Sequence, residues 1–513
     1  MSKETPASPH PDAASATRNE PSPARAAQAQ PARAGSVPGA TADTAAKTAT
    51  PVPAAFGPVT AALSDFAAAW RWEDVPQAVR HEACRSLLNY FAVALAGCTD
   101  PTLDIAARVY GRFRSGDQAT VIGRGERSDL LNAAALNAMA ANVYDFDDTH
   151  IPTIIHPTAP VAPAVFALAE AAPASGAQLL LAFILGVEVE CRLGNAVSPG
   201  HYARGWHITS TCGVFGATVA AGRMLGLDAR AMAWALGSAS SQAGGLVETL
   251  GTMAKSVGVG DAARGGLLAA LLAEQGFDGP AQPLEGVRGF LRVTADEPDL
   301  APITQDLGAR WEILANTYKP YPCGVVLNPV IEACLALHGD ARLAEAGGTA
   351  AIAGIELIGH PLLRQRTDRP GIRTGRESQV SAQHAVAVSL ARGRAGLDEF
   401  SDAAVADESL RALGAKVRFR DVPDMAVEAV ALRIELAGGG EIAHRVDVAR
   451  GAGARPLSDA DIEDKLRELC RHGGSGCEAE PLIAAVWGLE RAADAGAVMK
   501  LAAGRKPATR GRG

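Results

Sequence analysis

The sequence predicts a mainly α protein, in which a large all-helical domain accompanies a smaller α+β domain. Two changes of hydrophobic period carry this expectation. From Val59 to about Arg310, apolar residues recur at helical spacing almost throughout. From about Trp311 to Arg450 the pattern becomes strand-like alternation between shorter helical stretches, and after Ser458 the helical spacing returns. A composition rich in Ala and Gly, with only 5% aromatics, suits helices whose small side chains let backbones approach closely.

Each element follows in order. Residues 1–55 contain no Leu, Ile, Phe, Trp or Tyr. Their Ala, Pro, Ser and Thr bury too little apolar surface to offset ordering entropy, so the stretch reads as a disordered extension. It lacks the apolar core of a secretory signal. The first part of the helical domain is expected over 56–310, with helices at 79–96, 129–144 and 177–197. The Gly-, Ala- and Ser-rich stretches 213–225 and 231–250 read as buried helices, and 261–275 as another closed by Gly276.

The α+β domain is expected over 311–452. Ala351 to Ile358 is β-prone, and Val430, Leu432, Ile434 and Leu436 alternate with Ala431, Arg433 and Glu435. After Gly438-Gly439-Gly440, Ile442, His444, Val446 and Val448 alternate again, the pattern of a hairpin with a three-glycine loop. Helices are expected at 326–338 and 378–392. The stretch 453–504 is expected to rejoin the large domain through helices at 458–469 and 481–503, the first opened by Ser458-Asp459-Ala460-Asp461. A basic tail, 505–513, closes the chain.

The totals exclude several classes. With 48 basic and 56 acidic residues the net charge is −8, which disfavours a general nucleic-acid or anionic-membrane surface. The longest strongly apolar run, Leu179 to Val187, is too short to cross a bilayer and runs into Glu188 and Glu190. Eight cysteines are scattered along the chain, and the one close pair, Cys470 and Cys477, fits no usual zinc spacing. Reduced thiols in a soluble cytoplasmic protein are therefore expected.

The densest chemistry is Asp145-Phe146-Asp147-Asp148-Thr149-His150, followed by His156-Pro157. Such a run marks a metal site, an acid/base site or a solvated loop, because unpaired charges are costly to bury. Asp145-x-Asp147-x-Thr149 formally matches an aspartyl phosphatase motif. That motif belongs after a hydrophobic strand, whereas Asn132 to Asn142 is an Ala-rich helix, so the phosphatase reading fails. His207, after a Gly205-Trp206 turn and before a glycine-rich helix, lies where a helix N-terminus favours an anion. Lys255 and Arg264 bracket a Gly-rich turn that lacks a phosphate-loop ending, and can clamp carboxylates. Lys319, in Tyr318-Lys319-Pro320-Tyr321-Pro322-Cys323-Gly324, falls at the predicted junction of the domains, a common place for ligand sites. Cys323 has no evident paired histidine that would make it a nucleophile.

Taken together, these segments resemble the MmgE/PrpD family from about Val59 to about Ala502. The resemblance is carried by Asp145 to Thr149 with His156-Pro157, by Gly205-Trp206-His207-Ile208-Thr209 leading into Gly213 to Ala217, by Thr252 to Lys255 with Gly260 to Arg264, and by Lys319 to Gly324. It implies a homodimer with a large helical domain and a smaller α+β lid domain, no metal and no organic cofactor. It further implies a lyase that dehydrates or decarboxylates a small di- or tricarboxylate by acid/base chemistry, with an epimerase as the alternative and a non-catalytic carboxylate binder as a third reading. Asp145, His156, His207 and Lys255 are then the expected catalytic residues, and Thr149, Thr209, Arg264 and Lys319 the expected substrate-binding ones. Within the acidic run, Asp147, Asp148 and His150 are expected in supporting or solvated roles. Gly324 departs from the pattern, standing where the decarboxylase branch of the family carries a histidine.

Overall fold

The computed structural model describes residues 55–505. The extension read over 1–55 and the basic tail therefore lie outside the described residues, except for Ala55 and Arg505. Two hydrophobic cores organise the rest. The larger is helical and runs from Val59 to Tyr318, then resumes with Leu457, Ile462 and the C-terminal helices to Ala502. The smaller is formed between Tyr321 and Val446.

Three helices of the larger core place the chemistry described below. Leu130–Asn142 is capped by the Asp129 side chain, Ile208–Met224 takes His207 at its N-cap position, and Ala254–Glu274 lies between them. Small residues set the distances. A Cβ on Gly266 would come within 2.5 Å of the Ala217 Cβ and 2.7 Å of the Thr218 backbone N, and one on Gly260 within 3.0 Å of the Ala135 carbonyl. Ser210 meets Gly258 and Ala217 meets Gly266, so the helices that start at Ile208 and Ala254 run parallel. Asp145 meets Lys255 while Ala135 meets Gly260, so Leu130–Asn142 runs antiparallel to them. This arrangement brings two helix N-termini and one C-terminus to the same place. Ala254–Glu274 is also the one described helix with the length and apolarity of a membrane span, yet its packing makes it a core helix.

The hairpin expected from alternation is Val430–Leu436 paired antiparallel with Glu441–Val446. Ile352–Gly359 pairs antiparallel with its first strand, and Val417–Asp421 adds a parallel edge. That edge strand alternates between half-buried and exposed residues, with Arg418, Arg420 and Asp421 among only five positions, so it carries little apolar signal. Asn328–His338 packs on the hairpin and on Ala382–Arg392.

Several boundaries differ from expectation for identifiable reasons. The helix expected over 231–250 is Ala229–Ser240, after which residues 241–253 form turns and one 3₁₀ segment, Val247–Thr249, around Gly244, Gly245 and Gly251. Gly245 and Gly251 take positive φ, of 126° and 80°, which ends helical geometry. The next helix starts seven residues earlier than expected, at Ala254, so Lys255 stands in its first turn and not on a glycine-rich loop. The helix expected over 481–503 is divided into Ala479–Trp487 and Ala497–Leu501, with Gly488 and Gly496 at the breaks. Ser458 closes a capping box with Asp461, as its sequence indicated, and the helix it opens, Asp459–Gly473, packs against Gln77–Gly97.

Two three-residue strands escape any periodicity argument. Asp148–His150 pairs antiparallel with Asn316–Tyr318, Thr149 opposite Thr317. The pairing delivers Lys319 beside the acidic run, 174 positions away from Asp145 in sequence.

The close approach at Gly266 yields a stability prediction. Gly266→Val should cost about 1–3 kcal/mol or more, because a larger side chain must displace backbone atoms. Gly200→Ala, where nothing lies within 4 Å, should stay within about 0.5 kcal/mol of wild type. Urea unfolding of both variants checks the pair.

Candidate active site

The site is built on Asp145. Its backbone is left-handed, φ 52°, a conformation that Asp tolerates better than most residues. The turn follows the end of the Leu130–Asn142 helix, with the Asp145 N–H donating to the Asn142 carbonyl. The carboxylate is then held by two ammonium groups: Lys255 Nζ lies 2.5 Å from Oδ1 and Lys319 Nζ 3.1 Å from Oδ2. Lys319 also donates to the Asp145 carbonyl at 2.7 Å. Burial alone would raise this carboxyl, but Lys255 and Lys319 outweigh it and hold Asp145 well below the usual carboxylate range.

His156 stands beside the same carboxylate, Nε2 3.6 Å from Asp145 Oδ1. Its Nδ1 lies 2.7 Å from the Asp148 carbonyl, which can only accept, so Nδ1 carries the proton. Asp147 Oδ1 at 3.4 Å and Thr149 Oγ1 at 3.4 Å flank the same nitrogen. The neutral ring therefore leaves its Nε2 lone pair facing Asp145. Burial lowers the His156 pKa; Asp147 and Asp145 pull the other way, and Lys319 and Lys255 offset them.

His207 donates to or accepts from Ser210 Oγ at 2.7 Å through Nδ1, and its backbone N–H donates to the Gly245 carbonyl. Burial, with the charge of Lys255, depresses it to about 3, against the smaller pull of Asp145. It is neutral throughout the physiological range. Thr209 is fully enclosed, and its hydroxyl accepts the His156 backbone N–H at 3.1 Å. Thr149 is likewise buried, its carbonyl taken by Thr317 Oγ1.

Seven of the eight residues singled out from sequence thus share one neighbourhood. Arg264 does not join them. It lies nine residues beyond Lys255 on the same helix, about 13 Å along the axis, where it pairs with Asp261 at 2.6 Å and overlies the Tyr110 ring. Its spacing from Lys255 suited a clamp on a loop, and the early start of the helix removes that possibility.

The remaining acidic residues are buried, so none takes the solvated role that the sequence left open. Asp147 accepts from Asn142 Nδ2 at 2.7 Å while facing His156. Asp148 accepts from Thr158 and from Asn316 Nδ2. Asp148 is raised to about 7: burial pushes it up, the two donors offset part of the rise, and the neighbouring Asp147 adds to it. His150 points to the opposite side, bonded to Thr153 and Glu312. Cys323 is fully buried, and burial pushes its thiol up, so it is no nucleophile.

Two participants had no usable signal in the sequence. Asn316 bonds Asp148 across the short strand pair. Lys465, on the Asp459–Gly473 helix, sends its ammonium to Asn89 Oδ1 at 2.8 Å, the Phe146 carbonyl at 2.8 Å and the Lys319 carbonyl at 2.9 Å. A lysine in an Asp/Glu/Arg-rich amphipathic helix reads as a surface residue.

Asp145, Asp147 and His156 each place one ligand-type atom within 4.8 Å of the others. Both oxygens of Asp145 already face ammonium groups, and a divalent cation here would meet two positive charges at ion-pair range. The arrangement fits an anion better than a metal ion. The N-termini of two helices add to the positive potential.

Comparison with known proteins agrees with the mainly α fold. The model of the MmgE/PrpD N-terminal domain matches residues 61–303, and that of the MmgE/PrpD C-terminal domain matches residues 321–491. A human protein named cis-aconitate decarboxylase is 28% identical over 438 residues, covering 82% of this chain and 90% of its own. A protein of the same name from Aspergillus terreus is 27% identical over 470 residues, covering 86% and 95%. The mouse cis-aconitate decarboxylase is 28% identical over 440 residues, covering 82% and 88%. With both family domains matched in order across most of its length, the chain belongs to the MmgE/PrpD family.

Proposed function

We propose that this MmgE/PrpD lyase removes CO₂ from a small tricarboxylate such as cis-aconitate by acid/base chemistry that uses no metal. The observation that carries the reading is the pair of ammonium groups on Asp145 with the His156 imidazole beside them. The same two lysines can hold substrate carboxylates and stabilise charge that builds during the reaction. The names of the relatives support the tricarboxylate and the decarboxylation.

In such a reaction the C–CO₂ bond breaks and its electron pair forms the new double bond. The pair of the old double bond then takes a proton at the far carbon. His156 is the donor. In the free enzyme it is depressed and neutral; the incoming polyanion favours the imidazolium, so the acid is generated where the substrate is bound. His207, neutral and fixed by Ser210, serves as a hydrogen-bonding partner to a substrate oxygen. Asp145 keeps the lysines apart and charged.

Gly324 favours a second reading. One imidazole of the decarboxylase pattern is missing there, while an epimerase that abstracts and returns an α-proton of a dicarboxylate such as iminodisuccinate can use the two that are present, His156 and His207. We further propose a homodimer in a reducing, cytoplasmic compartment, the latter consistent with eight cysteines that are all free.

NMR-monitored incubation with cis-aconitate, 2-methylcitrate, citrate and iminodisuccinate, with and without EDTA, tests the function. The expected result is loss of CO₂ from a tricarboxylate, unchanged by EDTA. Deuterium incorporation into recovered substrate without net loss would replace the lyase by the epimerase, and abolition by EDTA would refute metal independence.

Lys255→Ala and His156→Ala should each lower kcat/KM by roughly 100-fold or more, with thermal stability close to wild type. Retention of most activity by both would remove these residues from the mechanism.

The sign of the pH dependence follows from the His156 shift. A general acid is lost as pH rises through its pKa. Hence kcat/KM, which reports the free enzyme, should fall through a pKa below the ordinary 6.5, and kcat should fall at a higher pH because bound substrate favours the charged ring. Steady-state profiles of both constants check this, and the opposite order would exclude His156 as the acid.

A further inference from the structure

We propose that Lys465 is a positioning residue for this reaction, tying together the main chain beside Asp145 and the main chain of Lys319 so that their ion pair keeps its geometry. The inference rests on the reading of that site as catalytic. Three acceptors converge on one nitrogen: Asn89 Oδ1, the Phe146 carbonyl and the Lys319 carbonyl, at 2.8, 2.8 and 2.9 Å. All three lack hydrogen to give, so satisfying them takes three N–H donors. An ammonium has three and a neutral amine only two. The geometry therefore asks for a charged Lys465, although the residue is only 7% exposed.

One more observation supports the charge. The nitrogen lies 3.7 Å from the centroid of the Phe146 ring, where a cation is attracted to the ring face. Against the charge, burial and Lys319 press the lysine well below its ordinary value, and Asp147 and Asp148 offset only part of that. A charged group kept under that pressure is anchored by its partners.

What it anchors is specific. Phe146 directly follows Asp145, and Lys319 is the other member of the ion pair, so a single ammonium spans the two chain segments that must be in register. The Asp459–Gly473 helix returns to the helical core at the end of the chain and brings this group to the main chain of both segments. Lys465 bonds Asn89 and two main-chain carbonyls and not the side chains of Asp145 or Lys319, so its effect is exerted through the positions of those two residues.

The test is Lys465→Met, similar in length and unable to donate. In folded protein, kcat is expected to fall roughly 100-fold, as for a small misplacement of reacting groups, with KM altered much less. A crystal structure of the variant should show the Phe146 and Lys319 carbonyls displaced and the Asp145–Lys319 contact lengthened. Unchanged kcat, or a loss that merely tracks the unfolded fraction, overturns the proposal. Failure of the wild type to turn over any of the acids overturns the lyase reading instead, and the variant's crystal structure still decides the positioning role: unaltered carbonyls and an intact ion pair refute it. If Lys465→Met does not fold, Lys465→Gln, which keeps two N–H donors, takes its place with the same expectations. If neither folds, the lysine is a folding determinant and the proposal falls.

Discussion

The interaction on which the rest of the site depends is the clamp of Asp145 between Lys255 and Lys319. It joins three segments that lie far apart in sequence: the turn after one helix, the first turn of another, and the residue after a three-residue strand. Each of these charges is costly to withdraw from water alone. Together they neutralise one another in part and leave an excess of positive charge, since one carboxylate faces two ammonium groups. That excess is what a polyanion requires, and it explains why an acidic run that resembles a cation site in sequence is better suited to anions.

Helix packing makes the clamp possible. Gly260 and Gly266 let the Ala254–Glu274 helix sit against its two neighbours at distances no larger side chain allows. The parallel course of the helices beginning at Ile208 and Ala254 carries His207 and Lys255 to one end, and the antiparallel course of Leu130–Asn142 carries Asp145 to the same end. The alanine- and glycine-rich composition is thus part of the site as well as of the core. The short pairing of Asp148–His150 with Asn316–Tyr318 then fixes His156 and Lys319 relative to each other, because the Asp148 carbonyl holds the imidazole and Lys319 follows the partner strand.

Burial sorts residues of one type into different roles. His207 and His156 are both depressed, yet His207 has only Ser210 on its Nδ1 whereas His156 lies between carboxylates that can favour its charged form once substrate enters. Asp145 and Asp148 are three residues apart and shift in opposite directions: burial presses both up, two ammonium groups overcome it at Asp145, and at Asp148 it prevails. Local sequence is nearly the same for both. The surroundings make one a permanent anion and the other a group that titrates near neutrality.

The sequence by itself determined the mainly α class, the α+β insertion with its three-glycine hairpin, the Ser458 cap and most of the residues that the fold gathers at the candidate site, because periodicity, capping and clustered polar residues are local properties. It also carried the family resemblance through Asp145, His207, Lys255 and Lys319. Only the tertiary structure decided that Arg264 stays outside the site, that Lys255 stands on a helix, that Asp147 and Asp148 are buried, and that Lys465 reaches in from the end of the chain. Those outcomes depend on which helix ends meet and which backbone carbonyls lack partners. Both are set by packing between segments hundreds of residues apart, and no local pattern records them.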